Sequence, residues 1–310
     1  MKQVFALAAS ALLSISLFAQ QTEPAAELMK SKSDYTSFVG LNVAGNFSVT
    51  IAEGETYTSV LEVDSRIADF CRAYVMGSIL YINVDEKTLP SEGKKILSKK
   101  GAQAPVLRAT VTIPSGADFR QITLDGNARI AGKANFSPGS ALSVECGGSS
   151  VLGPLNVNVA ELSVNASKKA SVNIDAVCSK LNVVASNNTE LSLKGKMATV
   201  STNLDGSAKL TLDATSTSVV HTLSGSARIS HSGSADRLEL ISRSNAVLEA
   251  GKLSAKDVWT DMNGSEATVS ASQKLKLTLV NMANLSYNGS PAILIDKIQK
   301  STVTPLTKVK

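Results

Sequence analysis

Leu204-Asp205-Gly206-Ser207-Ala208-Lys209-Leu210 is followed by Leu223-Ser224-Gly225-Ser226-Ala227-Arg228-Ile229, and both echo the earlier Leu124-Asp125-Gly126-Asn127-Ala128-Arg129-Ile130. The shared phrase is a small polar cluster closed by an aliphatic residue. Weaker copies fill the intervals, placing the closing aliphatics at Ile130, Val151, Val172, Leu191, Leu210, Ile229, Leu248, Val269 and Leu285. Subtracting neighbours gives steps of 21, 21, 19, 19, 19, 19, 21 and 16. A period of about twenty residues is the signature of a solenoid, in which each repeat buries its apolar face only against its neighbours. A β-sandwich also has short strands at regular spacing, but its strands do not repeat the same words at the same phase. The expected fold class is all-β: a parallel β-helix or β-solenoid of about nine coils with an N-terminal β-rich module.

Each unit opens with an L-x-V-like strand, as at Leu142-Ser143-Val144, Leu162-Ser163-Val164 and Leu181-Asn182-Val183. A small-residue corner follows, then a second strand through the closing aliphatic. Stacked at about 4.8 Å, such units form an array roughly 40 Å long whose hydrogen bonds run between coils. Asn, Ser and Gly suit the corners, where φ > 0 or a local side-chain bond to backbone is often needed. The array is assigned to residues 115–291, from just after Pro114 to the break at Tyr287-Asn288-Gly289-Ser290-Pro291. Upstream, Phe47-Ser48-Val49-Thr50-Ile51, Ile79-Leu80-Tyr81-Ile82 and Val111-Thr112-Ile113 read as strands of the N-terminal β-rich module over 38–114, broken by an exposed Lys-rich excursion at 85–103. These strands are expected to cap one end of the array, because open edges pair with other chains. Residues 292–310 read as a terminal strand or tail, and the polar residues 20–37 as a disordered lead-in.

Met1-Lys2, the apolar run from Val4 to Phe18 and the Leu17-Phe18-Ala19 cleavage site read as a secretory signal peptide over residues 1–19, so the chain is expected to be exported. No later stretch approaches the roughly 20 apolar residues of a spanning helix, and no membrane span is expected. An aromatic content of 4% suits thin aliphatic layers better than a core built around rings. Three cysteines, Cys71, Cys146 and Cys178, are an odd number and make no disulfide framework; they read as small buried hydrophobes. The net charge of +5 is concentrated at Lys94, Lys95, Lys99 and Lys100 and at Lys297, Lys300, Lys308 and Lys310. Neither cluster is interleaved with aromatics, so nucleic acid is not an expected partner.

The opening Phe47-x-Val49-x-Ile51 strand closed by Glu53-Gly54, the Val111-Thr112-Ile113-Pro114 step, the L-x-G-S-A-like repeats and a final Tyr287-x-Gly289-x-Pro291 follow in order behind the signal peptide. This pattern, over about residues 38–300, resembles the putative auto-transporter adhesin, head GIN domain family of secreted proteins, found largely in Bacteroidetes. The resemblance implies a β-helical exported protein with a role in adhesion, in the periplasm, at the cell surface or outside a Gram-negative cell. It carries over no catalytic residues. The 19 residues after Pro291 (310 − 291) are not expected to supply an auto-transporter's membrane barrel, whose several strands take about ten residues each.

Glycoside hydrolysis needs two carboxyls about 5 to 9.5 Å apart. Asp125 and Asp205 share a phase but lie four coils apart, roughly 19 Å, and read as Asx corners before glycine. The two histidines, His221 and His231, fall at phases −8 and +2 relative to Ile229, so neither a triad nor a zinc site is expected. No phosphate-binding loop is present, and no cofactor or metal is expected. Asp257, Asp261 and Glu266 lie near Trp259, the single Trp, in the least regular unit; these four are the candidate ligand contacts, and 257–267 is the candidate ligand-contacting protrusion. The expected function is non-enzymatic binding of glycans or surface proteins through repeated polar faces. The alternatives are a polysaccharide-active β-helix enzyme and a self-assembling envelope scaffold.

Overall fold

The computed structural model describes residues 27–133 and 140–306. The expected signal peptide at 1–19 and the first part of the lead-in, 20–26, lie outside the described residues. Strands β1 (Leu28–Tyr35), β2 (Gly40–Val43), β3 (Ser48–Gly54), β4 (Tyr57–Asp64), β5 (Cys71–Met76) and β6 (Ile79–Val84) precede helix α1 (Ser91–Ser98) and β7 (Leu107–Pro114). The repeats then supply β8 (Gln121–Leu124), β9 (Arg129–Lys133), β10 (Ala141–Cys146), β11 (Val151–Asn158) and β12 (Glu161–Ala166). Long bent strands follow: β13 (Ser171–Ala185), β14 (Glu190–Leu204), β15 (Lys209–Leu223), β16 (Arg228–Arg243), β17 (Val247–Asn263) and β18 (Glu266–Val280). Last come β19 (Asn284–Asn288), β20 (Ala292–Gln299) and β21 (Thr302–Pro305).

Each long strand closes one coil with its first half and opens the next with its second. Thus β13 pairs with β11 through Ser171–Val177 and with β12 through Lys180–Ala185. Every pairing from β8 and β9 onward is parallel. The result is the all-β solenoid of about nine turns that the repeats predict. Beyond it, β20 lies on β18 and β21 on β19, so the segment read as a terminal strand or tail stacks as one more coil.

Inward side chains form columns. One runs Ile130, Leu152, Val172, Leu191, Leu210, Ile229, Leu248, Ala267 and Leu285, all buried. Two anchors named from the sequence are corrected here. Val151 sits opposite Arg129 and Ser171, one residue early, and strand alternation turns it away from the column that Leu152 occupies. Val269 lies two residues beyond the column and packs inward between Ala250 and Tyr287, while the small Ala267 holds the anchor position. Truncating a leucine to alanine in such a column costs about 2–5 kcal/mol through lost burial and a residual cavity.

The corners stack as closely as the strands. Gly126, Gly148, Lys168, Asn187, Gly206, Gly225 and Ser244 all take φ between 63° and 73°, whatever their side chain. Most corners also bond the one beneath, as in Ser149 N–H to Gly126 C=O at 2.6 Å and Ser226 N–H to Gly206 C=O at 2.7 Å. The left-handed turn aims a peptide N–H along the stack, which explains the small polar residues there.

The region expected as a separate module is threaded into the stack. Strand β2 lies between β6 and β8, and β3 between β7 and β9, in parallel throughout. The outermost coil at this end is therefore β6 with β7, later in sequence than the coil beneath it. Antiparallel strands close its edges: β5 on β6, β4 on β7 and β1 on β4. Residues 28–35 of the expected disordered lead-in thus form a strand, organised by eight residue pairs with β4 rather than by apolar side chains of their own. Ile67 and Leu89 are buried, and Ile96 and Leu97 of α1 pack against the same core, so the Lys-rich excursion covers part of this end. Leu80, Ile82, Val111 and Ile113 are fully buried although they stand on the outermost coil.

Candidate functional site

Outward side chains are also in columns, one coil spacing apart. Along the opening strands one column reads Ser163, Asn182, Ser201, Val220, Glu239, Trp259, Lys276. Its neighbour reads Val184, Asn203, Thr222, Ile241, Asp261, Thr278. This face is uncharged over its middle coils and charged toward the last ones.

Asp257, Trp259 and Asp261 alternate along β17 and share this face. Glu266 starts β18 beyond the Gly264 corner, beside Val247 and Asn284, and stands apart from them. Residues 257–263 run inside β17, so no protrusion forms there: the coil absorbs its irregularity as register shifts between Ala250 and Asp257. The Arg237 guanidinium lies 3.5 Å from the Trp259 ring centroid and donates to Glu239 at 3.0 Å, which occupies one face of the indole. Arg243 makes paired bonds to the Asp261 carboxylate at 3.2 and 2.9 Å, and Lys276 pairs with Asp296 at 2.8 Å. The recess beside them holds about 130 Å³. Ligand pockets usually run to about 300–1,000 Å³, so this cluster is a decorated flat face with most of its charges already matched.

A larger concavity crosses the closing strands. Its volume is about 580 Å³, and it spans four coils, from β11 to β15. The columns that build it are Asn156, Asp175, Lys194, Asp213 on one wall and Asn158, Val177, Lys196, Thr215 on the other. Between them run Val157, Ala176, Gly195 and Ala214. Gly195 sits at φ 134°, and a Cβ there would lie 2.0 Å from the Ala176 carbonyl oxygen, so the coils touch backbone to backbone along the floor. The Lys194 ammonium pairs with Asp175 at 3.0 Å, and Ser232 donates to Asp213 at 3.0 Å. Val177 is half exposed on the wall. The groove thus offers amides, a hydroxyl, cations and carboxylates along about 14 Å of the solenoid axis, three coil spacings. The sequence singled out none of these residues, although the signal was present: 175, 194 and 213 share one phase, and 177, 196 and 215 another, at steps of 19.

The two histidines meet inside the solenoid. His221 Nδ1 bonds Thr202 Oγ1 at 2.8 Å, and its Nε2 bonds His231 Nδ1 at 3.0 Å; His231 Nε2 is buried without a partner. Linear phase kept them apart because they lie on opposite walls of one coil, His221 on its opening strand and His231 on its closing strand. Burial and the neighbouring ring push His221 well below the ordinary histidine range, and burial pushes His231 down to about 4. Burial lifts the thiols of Cys146 to about 12 and Cys178 to about 11, as expected for small core residues, and Cys71 is half-buried. Asp205 accepts from Ser224 Oγ at 2.7 Å, and that bond holds its carboxyl below the usual range, as a corner carboxylate. Among the described residues no group of three or more His, Cys, Asp or Glu is placed to hold a metal, and no helix is long and apolar enough to cross a membrane.

Polar columns on a parallel stack, with a groove running across the coils, define a β-solenoid protein whose outer surface is built by repetition. The sequence matches the family described as putative auto-transporter adhesin, head GIN domain, over residues 37–222 and again over 203–291, and the chain belongs to that family. Among solved structures it is similar to a putative adhesin from Parabacteroides merdae, at 16% identity and a TM-score of 0.50 over 91% of this chain and 97% of that one. It is also similar to a putative adhesin from Parabacteroides distasonis, at 17% identity and a TM-score of 0.51 over 91% and 98%. A putative lipid binding protein from the same species aligns at 13% identity and a TM-score of 0.48 over 90% and 97%. No curated protein matches the sequence. At these identities the two putative adhesin structures bear on the fold alone.

Proposed function

We propose that this chain is an exported, non-enzymatic surface-binding protein that holds an extended glycan along the groove between the Asp175–Lys194–Asp213 and Val177–Lys196–Thr215 columns. The observation that carries the reading is the concavity itself, long in the axial direction and furnished at every coil with a polar group at the same phase. A polymer lying parallel to the axis meets a new set of donors and acceptors at each coil, about every 4.8 Å. Many weak contacts at regular spacing give avidity without a deep pocket. Membership of an adhesin-like family fits the same role.

The test is binding of the purified exported chain to a broad panel of host and envelope glycans. Lys196→Glu and Thr215→Ala, both on the groove wall, are expected to weaken the best binder by about tenfold each, near 1.4 kcal/mol. Ser201→Ala, on the other face, should leave it unchanged. Absence of binding across the panel, or equal loss from Ser201→Ala, would overturn the proposal.

A further inference from the structure

The coil of β20 and β21 ends the stack, and no described strand lies on it. Its inward positions Ile293, Ile295 and Ile298 continue the columns of Leu275, Leu277 and Leu279. Those leucines are at most 1% exposed, whereas the isoleucines are 41%, 63% and 40% exposed. The chain therefore places core residues on a coil whose far side is open. Among the described residues β18 is the only strand partner of β20, so its outer backbone edge is unpaired there too. Such an edge is a template for another strand.

We propose that this end is the interface of a symmetric homodimer, in which β20 pairs antiparallel with β20 of a second copy. The order of residues argues for self-pairing. Register shifts between the Leu277–Ile295 and Thr278–Lys297 pairs, leaving Asp296 as the extra residue of a bulge. Side-chain phase is reset there, so Ile295 and Ile298 both point inward while Asp296 and Lys297 separate them. Ile295-Asp296-Lys297-Ile298 then has the same apolar and charged order in both directions, with the two charges of opposite sign exchanged. In an antiparallel pair centred between 296 and 297, Ile295 faces Ile298 of the second copy, and Asp296, already paired with Lys276 at 2.8 Å within its own chain, faces Lys297 of that copy. Two ion pairs form, and the open aliphatic columns close on each other. A slip of one residue either way would set Lys297 against Lys297 or Asp296 against Asp296, so charge selects the register. A two-fold interface needs this self-complementarity.

Growth stops at two copies, because the opposite end of each solenoid is covered by β1, β4, β5, Ile67 and the 89–97 segment. An anionic membrane is the competing occupant, since Lys297 and Lys300 flank the apolar end. It would leave the β20 edge facing hydrocarbon without hydrogen-bond partners, a cost that a second strand removes.

Sedimentation velocity of the full exported chain from low to high micromolar concentration tests the proposal. The mass is expected to move from one chain to two and no further. Lys297→Asp and Asp296→Lys should each weaken association at least about tenfold, and an equimolar mixture of the two variants should restore it, because the mixed pair again sets carboxylate against ammonium. Rescue by mixing cannot arise if either variant merely misfolds. A wild type that stays monomeric, variants that dimerise as well as the wild type, no recovery on mixing, growth beyond dimers, or association seen only on anionic phosphatidylserine vesicles would each overturn it.

Discussion

The two ends of the solenoid solve the same problem in opposite ways. At the N-terminal end the outermost coil, β6 with β7, is closed at both edges by antiparallel strands, and its inward residues Ile82 and Ile113 are as buried as any in the middle. At the C-terminal end β20 offers Ile293, Ile295 and Ile298 at the same inward positions, and they remain partly exposed. A repeat array buries its core only where each coil has something on both sides. The contrast shows that the cover is not a property of the repeat. It is built from non-repeating sequence, a 3-10 turn carrying Ile67, Leu89 and the helix with Ile96 and Leu97, inserted before and after β5 and β6.

The sharpest way to break this comparison is to place a charge at each end. Ile67→Asp buries a carboxylate under the cover and is expected to cost about 3–5 kcal/mol, enough to unseat the N-terminal end. Ile295→Asp, on an open coil, should cost under about 1 kcal/mol in the monomer, since its carboxylate keeps water. Solenoids open in parts rather than as one unit, so hydrogen exchange read segment by segment is the appropriate measure. Comparable protection loss at both ends would show that the C-terminal coil is covered after all.

Acid should open the middle before either end. His221 and His231 are held neutral in the folded state, with His231 at about 4, against about 6.5 in an unfolded chain. Between those values the unfolded chain binds more protons than the folded one, so stability rises with pH there and is lost as pH falls from about 6.5 toward 4. For His231 alone the loss approaches about 3 kcal/mol at the acid end of that window. Exchange at about pH 4.5 is expected to rise first in β14, β15 and β16 around Thr202, His221 and His231. A stability curve flat from neutral pH down to that point would remove this assignment.

The smallest effect concerns a corner. Lys168 holds φ 65° in a column where Gly148 and Gly206 take nearly the same angle. Lys168→Gly relieves left-handed strain of about 1–2 kcal/mol but adds about 0.5–1 kcal/mol of unfolded-state entropy, so a net gain of at most about 1.5 kcal/mol is expected in thermal melts. A loss would mean that the Lys168 side chain supplies a contact the corner needs.

Much of the interior was legible because strand alternation and coil stacking are both local in period. Leu191, Leu210, Ile229 and Leu248 stand in the column where the phrase placed them. In both misplacements a valine beside the column reads as the closing aliphatic: Val151 stands one residue before Leu152, and Val269 two residues after Ala267. On the surface, Asp257, Trp259 and Asp261 were correctly seen as neighbours, but the guanidinium over the indole and the ion pairs around it come from β16, β18 and β20. The groove columns are written in the sequence at a fixed step, but single charged residues at corners and walls look alike until their coils are stacked.

Taken alone, the sequence determined that this protein stacks short strands at a step near nineteen residues, with aliphatics inside and small polar residues at left-handed corners. Those features follow from contacts between adjacent repeats, and a repeating phrase records them directly. Only the tertiary structure decided that β6 and β7 lie outside β2 and β3, which end is left open, where the walls of the groove align, and that the two histidines share a hydrogen bond. Each of these joins parts of the chain through pairings or interior packing that no local period encodes, and their geometry exists only once the coils are stacked.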